Sequence, residues 1–186
     1  MRLFGLGLSF ATLALLGSGC IFSPKTDDKP PPPVQKTYLE PISPENVLEN
    51  LKTAYESRDS VEYKNIYAAS YEGTSTDLSD PQPTVSTFRY ADETAHMGKL
   101  AQVTTIVSVV FDIGLRSTWH PITSDDPAHP EWMMVQINAS KIQIYDGQTL
   151  YSAVSTNAIT FTFEPTTVGG LTTWKIVRWN EQASSA

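Results

Sequence analysis

The chain has 186 residues, of which 40% are hydrophobic, 18% charged and 10% aromatic, and its formal net charge is −7. That apolar share excludes a wholly disordered chain, and a single continuously apolar stretch excludes a multi-span membrane protein. One cysteine excludes an intramolecular disulfide framework or a cysteine-based zinc site, and a pI near 4.9 argues against nucleic acid as a partner.

Residues 1–19 read as a signal peptide. Met1-Arg2 is a short positive start, Leu3 to Leu16 is apolar, and Gly17-Ser18-Gly19 supplies small residues. The apolar run is about fourteen residues long, short for a span at ~1.5 Å per residue but suited to a secretory h-region. Cys20, the sole cysteine, follows immediately. This arrangement resembles a bacterial lipobox, in which the cysteine receives diacylglycerol and becomes the mature N-terminus. Gly17 stands where that pattern usually has Leu, and Leu16 lies one position further back. The resemblance implies lipidation at Cys20 and a membrane partner through the N-terminal lipid. It places the protein in the bacterial cell envelope. Ile21, in place of the Asp that resembles an inner-membrane retention signal, points to the outer membrane, facing the periplasm or the surface.

Residues 20–36 form the lipid anchor and a proline-rich tether. Pro24 and the run Pro30 to Pro33 fix φ and remove backbone donors, so this stretch is expected to stay out of any helix or sheet. As polyproline II at ~3.1 Å per residue it would hold a domain on the order of 50 Å from the bilayer. The alternative is a proline-rich docking ligand for another protein.

Residues 37–186 form one domain, with 9 Lys and Arg against 18 Asp and Glu. A unit of this size buries ~70% of its unfolded surface, enough for a core. Ser43-Pro44 is an N-cap followed by a first-turn proline. Val47, Leu48, Leu51, Ala54 and Tyr55 then recur at helical spacing, with Asn50 off that face. Asp59-Ser60 caps a second helix striped by Tyr63, Ile66 and Tyr67. Glu72 to Pro83 reads as a loop, with at most one short strand. A third helix is predicted over Thr87 to Gln102, buried through Phe88, Ala91, Ala95 and Leu100.

Strands follow. Val103, Val107, Val109, Phe111 and Ile113 share one parity. Trp119 to Glu131 reads as a long connection. Met133 to Tyr145 changes parity near Ser140-Lys141, which predicts a β-bulge. Asp146-Gly147 is a hairpin turn, Leu150 to Phe163 a second long strand, and Thr173 to Trp179 closes the sheet after Gly169-Gly170. Early helices and late strands predict an α+β domain. Three N-terminal helices pack in the concave face of a strongly curved, mainly antiparallel sheet, leaving a conical cavity.

Pro44-Glu45-Asn46-Val47-Leu48 through Ala54-Tyr55 and Arg58-Asp59, followed by Tyr63, resembles the opening of the nuclear transport factor 2-like, or SnoaL-like, superfamily. Thr173 through Trp179 to Glu181 is similar to its last strand. The resemblance covers about residues 41–182 and implies the cone-like fold. It is nearly silent on activity, because such folds serve isomerases, dehydratases, cyclases and non-catalytic binding or scaffold domains. Enzymes of the superfamily commonly place an Asp, His or Tyr inside the cone. None is matched here by position, so no catalytic residue is carried over.

Candidates therefore come from the residues themselves. His96, beside Asp92 and Glu93, is a candidate general base. Asp112, the acid of a strong strand, would gain basicity if it faced inward. Tyr55, Tyr63, Tyr67 and Tyr71 can line a pocket, with Tyr63 and Tyr67 core residues first and ligand donors second. Asp125, Asp126 and His129 share a loop with Glu131 and offer oxygen and imidazole ligands, without the spacing of a known metal motif. No cofactor is expected. Trp174 and Ile176 on one parity, Trp179 and Val177 on the other, predict a strand apolar on both faces, and hence a homodimer through the sheet. Two functions survive. One is a non-catalytic module that binds a small apolar ligand or a protein. The other is a SnoaL-like isomerase, lyase or hydrolase acting outside the cytoplasm.

Overall fold

A computed structural model describes residues 23–25, 36–78, 83–138, 140–155 and 159–183. The expected signal peptide, Cys20 and most of the expected tether lie outside the described residues.

Helix α1 spans Pro44–Glu56 and α2 spans Ser60–Ile66. The Ser43 hydroxyl accepts the Asn46 N–H, and the Asp59 carboxylate accepts those of Val61 and Glu62. Both caps stand where the sequence puts them, and the α1 stripe from Val47 to Tyr55 is buried. Asn50 is buried too, contrary to its expected outward position. Its amide closes on both the N–H and the C=O of Leu39, each at 2.7 Å, and fastens the extended lead-in to the helix.

One long strand takes in the first half of the expected loop, and a second strand follows its end. Strand β2 spans Tyr67–Asp77 and β3 spans Thr84–Arg89. Their Thr- and Ser-rich texture looks like a loop because β3 is a solvated edge strand, and Thr suits that position. Helix α3 therefore starts at Tyr90 and runs to Gln102. Its buried face is Met97 and Leu100, while Ala91 and Ala95 are exposed and Phe88 belongs to β3. This shift of phase turns Glu93 inward.

The remaining strands are β4 (Ile106–Asp112), β5 (Ile122–Thr123), β6 (Met133–Ile137), β7 (Ser140–Asp146), β8 (Thr149–Ser155), β9 (Ile159–Val168) and β10 (Leu171–Ala183). In β4 a register shift between Ile106 and Ser108 leaves Val107 exposed while Ile106, Val109 and Phe111 are buried. The parity change near Ser140 is a change of sheet: β6 pairs with β9, and β7 pairs with β8 and β4. The ribbon expected as two long strands thus bends between two sheets. Gly147 turns one end at φ +59, and Gly169 and Gly170, both at positive φ, turn β9 into β10.

Strand β1, Ser23–Lys25, lies within the proline-rich tether, yet it pairs antiparallel with β8. This corrects the expectation that the tether joins no sheet. The physical reason is position: at the outside of a sheet a proline needs no donor on its far side. The sheets are ordered β1-β8-β7-β4 and β3-β2-β10-β9-β6-β5, antiparallel except where β10 runs parallel to β2.

The helices lie against the concave side. Their apolar faces share one core with Val109, Phe111, Phe161, Phe163 and Ile176 of the strands. A second register shift, between Ile176 and Arg178, brings Trp174 and Trp179 onto this same core. The two-faced strand inferred from parity is therefore a bulged strand with both tryptophans inward. Val177 alone goes outward, where Ala68 and Trp132 of the chain itself cover it.

Candidate functional site

The concave side holds a polar cluster set in aromatic packing. The last turn of α2 presents Tyr63, and Tyr67 follows four residues later at the start of β2. Between the pairs Tyr67–Ile176 and Glu72–Arg178, β10 contributes only Val177 while β2 contributes Ala68 to Tyr71. This excursion brings Tyr71 back to the inner side, against Tyr67, with ring centroids 4.7 Å apart. Gly73 gives the Tyr71 ring its room, because a Cβ there would collide with the Tyr71 hydroxyl.

The hydroxyls form a directed chain. Tyr67 donates to Tyr63 at 2.8 Å, and Tyr63 donates to Glu93 Oε2 at 3.0 Å. Tyr71 donates to the other carboxylate oxygen at 3.3 Å. Burial raises the Glu93 pKa, the two phenols pull it down, and the nearby Glu181 and Asp92 charges push it up again. Burial also raises Tyr63 and Tyr67 well above an ordinary phenol and raises Tyr71. The phenols are therefore neutral donors, and Glu93 is the common acceptor of Tyr63 and Tyr71. Glu181 of β10 is likewise raised by burial and held down by Ser75.

His96 flanks this cluster. Its Nε2 lies 3.2 Å from the Tyr55 hydroxyl, its ring stacks at 6.2 Å on Tyr55, and Tyr55 packs on Tyr63 at 5.9 Å. Partial burial of the ring and the Lys99 ammonium lower its pKa, so it is neutral at neutral pH. The structure thus links His96 to Tyr63 and Tyr67 through Tyr55. Asp112 is elsewhere: exposed at the end of β4, with Oδ1 accepting the Gly114 N–H at 2.9 Å. It shapes a turn.

The acidic loop sits on the outer side. Asp126 pairs with Arg178 at 3.1 Å, and its pKa is lowered first by the Ala128 N–H. His129 stacks on Trp132 at 3.8 Å and lies 3.5 Å from Glu131, and Arg178 covers the same indole. Asp125 is exposed. Among the described residues no three His, Cys, Asp or Glu side chains group closely enough to hold a metal ion.

The space expected as a cavity is occupied. Tyr63, Tyr67, Met97, Phe111, Phe161 and Phe163 are each less than 2% exposed. An open hollow of about 340 Å³ lies between β2 and the start of α3, lined by Ser70, Tyr71 and Glu72 and by Arg89, Tyr90 and Ala91. Tyr71 is common to the hollow and the hydroxyl chain.

Sequence reasoning singled out the tyrosines and His96 but passed over Glu93. The signal was present, because Tyr90, Met97 and Leu100 set a helical phase whose inner positions include Glu93.

No family model and no curated protein matches this chain. Solved structures do. A nuclear transport factor 2-like superfamily protein from Salmonella enterica serovar Typhimurium aligns with 75% of this chain and 87% of its own, at 8% identity and a TM-score of 0.50. The chain has the nuclear transport factor 2-like fold. A Novosphingobium aromaticivorans protein described as nuclear transport factor 2-like with a cystatin-like fold matches 75% of this chain and 78% of its own, at 13% identity and a TM-score of 0.48. A ketosteroid isomerase-like protein from Erwinia carotovora matches 76% of this chain and 94% of its own, at 16% identity and a TM-score of 0.45. At such identities the likeness is one of fold. The fold positions α1 to α3 over the sheet.

Proposed function

We propose that this is a lipid-anchored envelope protein whose nuclear transport factor 2-like domain is a non-catalytic binding module for a small apolar ligand or a protein partner. One observation carries the reading. The polar groups of the concave side are spent on one another: Glu93 accepts Tyr63 and Tyr71 on its two oxygens, and Tyr67 donates to Tyr63. A general base must aim a lone pair at its substrate; this carboxylate aims at phenols. Ligand contact then falls to the hollow beside Tyr71, whose lining sets the charged Glu72 and Arg89 among aromatic and small side chains. The anchoring half of the reading rests on Cys20 and the residues before it.

A second reading, an acid–base enzyme, has its own support. Burial raises Glu93, which favours a carboxyl that holds its proton, and Tyr71 links that carboxyl to the hollow. Native mass spectra of the mature protein and of its Glu93→Gln variant separate the two. A binding module carries the same adduct in both. An adduct whose mass differs between them by a chemical conversion would sink the binding reading.

A further inference from the structure

We propose that the segment next to the anchor docks on the edge of β8 and seats the domain directly on the bilayer, with that edge turned to the lipid. The inference rests on the reading that Cys20 is lipidated, and it replaces a free spacer with a close mount.

Ser23, Pro24 and Lys25 face Ser152, Tyr151 and Leu150 in antiparallel register. Only Ile21 and Phe22 separate Cys20 from Ser23. A residue advances the chain by at most ~3.6 Å, so the anchor lies within about 11 Å of chain from the β8 edge. The far end of the tether is fastened as well. Lys36 Nζ meets the Asp59 carboxylate at 3.0 Å, and Asn50 grips Leu39 just beyond. Chain between two fastened ends adds no height above the membrane. The anchor's reach is set by Cys20 to Ser23 alone, not by the ~50 Å of a free polyproline run.

The chemistry of the edge agrees. Thr149 to Ser155 contains no Asp, Glu, Lys or Arg, and the docked β1 adds only the basic Lys25, in a domain with 18 acids against 9 basic residues. An acidic surface is repelled by anionic headgroups within a Debye length, and an edge whose one charge is a lysine is not. The two residues between anchor and strand are apolar, which suits the headgroup boundary. A lipid surface is the partner this edge fits.

The test uses the mature full chain, reconstituted in vesicles of phosphatidylethanolamine and phosphatidylglycerol carrying a nitroxide-labelled headgroup. A fluorophore at Val154→Cys, exposed on β8, is expected to be quenched several-fold more than one at Val85→Cys, exposed on the β3 edge of the other sheet. Equal, weak quenching at both sites in lipidated protein would overturn the close mount. Docking itself is read by crosslinking. Ser23→Cys with Ser152→Cys should form a disulfide several-fold faster than Ser23→Cys with Val154→Cys, which is two residues out of register. Equal rates would overturn the docking. Mass spectrometry of the same samples separates this proposal from the reading beneath it. Absence of lipid on Cys20 removes the anchor, and the membrane seat with it, while the crosslink still reports whether β1 docks.

Discussion

Tyr63 is the middle member of the hydroxyl chain, and its removal tests whether the chain is one unit. Tyr63→Phe deletes a hydrogen bond to a carboxylate, about 1.5–3 kcal/mol, and strands the buried Tyr67 donor, about 1–3 kcal/mol more. The sum is about 2.5–6 kcal/mol, against about 1.5 kcal/mol for Tyr71→Phe, which loses one longer bond to the same carboxylate. Tyr67→Phe loses a neutral bond and leaves Tyr63 attached to Glu93, so it costs about 1 kcal/mol. Urea unfolding of the mature protein at neutral pH, followed by tryptophan fluorescence, should give the order Tyr63, Tyr71, Tyr67. The penalty should also depend on Glu93. In a Glu93→Gln background the bond is no longer charge-assisted, and the Tyr63→Phe cost falls by about 1 kcal/mol. Acid should do the same, because the phenols hold the Glu93 pKa down against burial and matter less once the carboxyl is protonated. Equal costs at the three positions, or a Tyr63 penalty indifferent to Glu93 and to pH, would refute a coupled network.

Three further outcomes follow from the same geometry. Gly73→Ala puts a methyl against the Tyr71 hydroxyl, so it should lower stability by about 1–3 kcal/mol, whereas Gly98→Ala, with open space at its Cβ, should leave it unchanged or raise it; thermal melts compare the pair. Asn50→Ala removes both bonds to Leu39, which should cost about 2 kcal/mol and admit protease near Lys36, read by limited proteolysis and mass spectrometry. Burial raises the folded pKa of Glu56, Glu93 and Glu181 above the ordinary 4.5. Their stabilising contribution is therefore complete below that value and is lost as pH rises through the raised ones. Melting temperature should fall from mildly acid to neutral pH, and less steeply in the Glu93→Gln and Glu181→Gln variants.

Local chemistry made part of this legible. Ser43-Pro44 and Asp59-Ser60 cap their helices by side-chain bonds within the next three residues, so no distant partner is needed to see them. The α1 stripe and the glycine turns are equally local. Tyr63 and Tyr67 were visible as inward tyrosines because their spacing is helical. Glu93 was not, because counting Phe88 into α3 set the buried face on Phe88, Ala91 and Ala95 and left this residue off it. The start of α3 depended on β3, and β3 is a strand only because β2 lies beside it. Ser23–Lys25 could not be seen for a related reason: a proline's fitness for a strand depends on whether a neighbour lies on its donor side.

The same dependence on partners decides which surfaces are free. By parity alone, Trp174 and Trp179 fall on opposite faces of the last strand, and one of them calls for a cover such as a second subunit. One extra residue at Val177 relative to β9 reconciles them, and both tryptophans enter the core. Trp179 then packs on Phe111 and Phe161 at 5.9 and 4.8 Å. The outer side at Val177 carries Trp132, whose ring is itself stacked by His129 and contacted by the Arg178 guanidinium. Arg178 in turn holds Asp126, so the acidic loop is fastened down over the strand. A loop that looked like a ligand set, and a face that looked like an interface, thus account for each other. Trp132→Ala probes this directly. It should expose Val177 and Ala68, and a concentration-dependent rise in mass on sedimentation would follow in the variant alone. Self-association equal in wild type and variant would show that the face is open despite its cover.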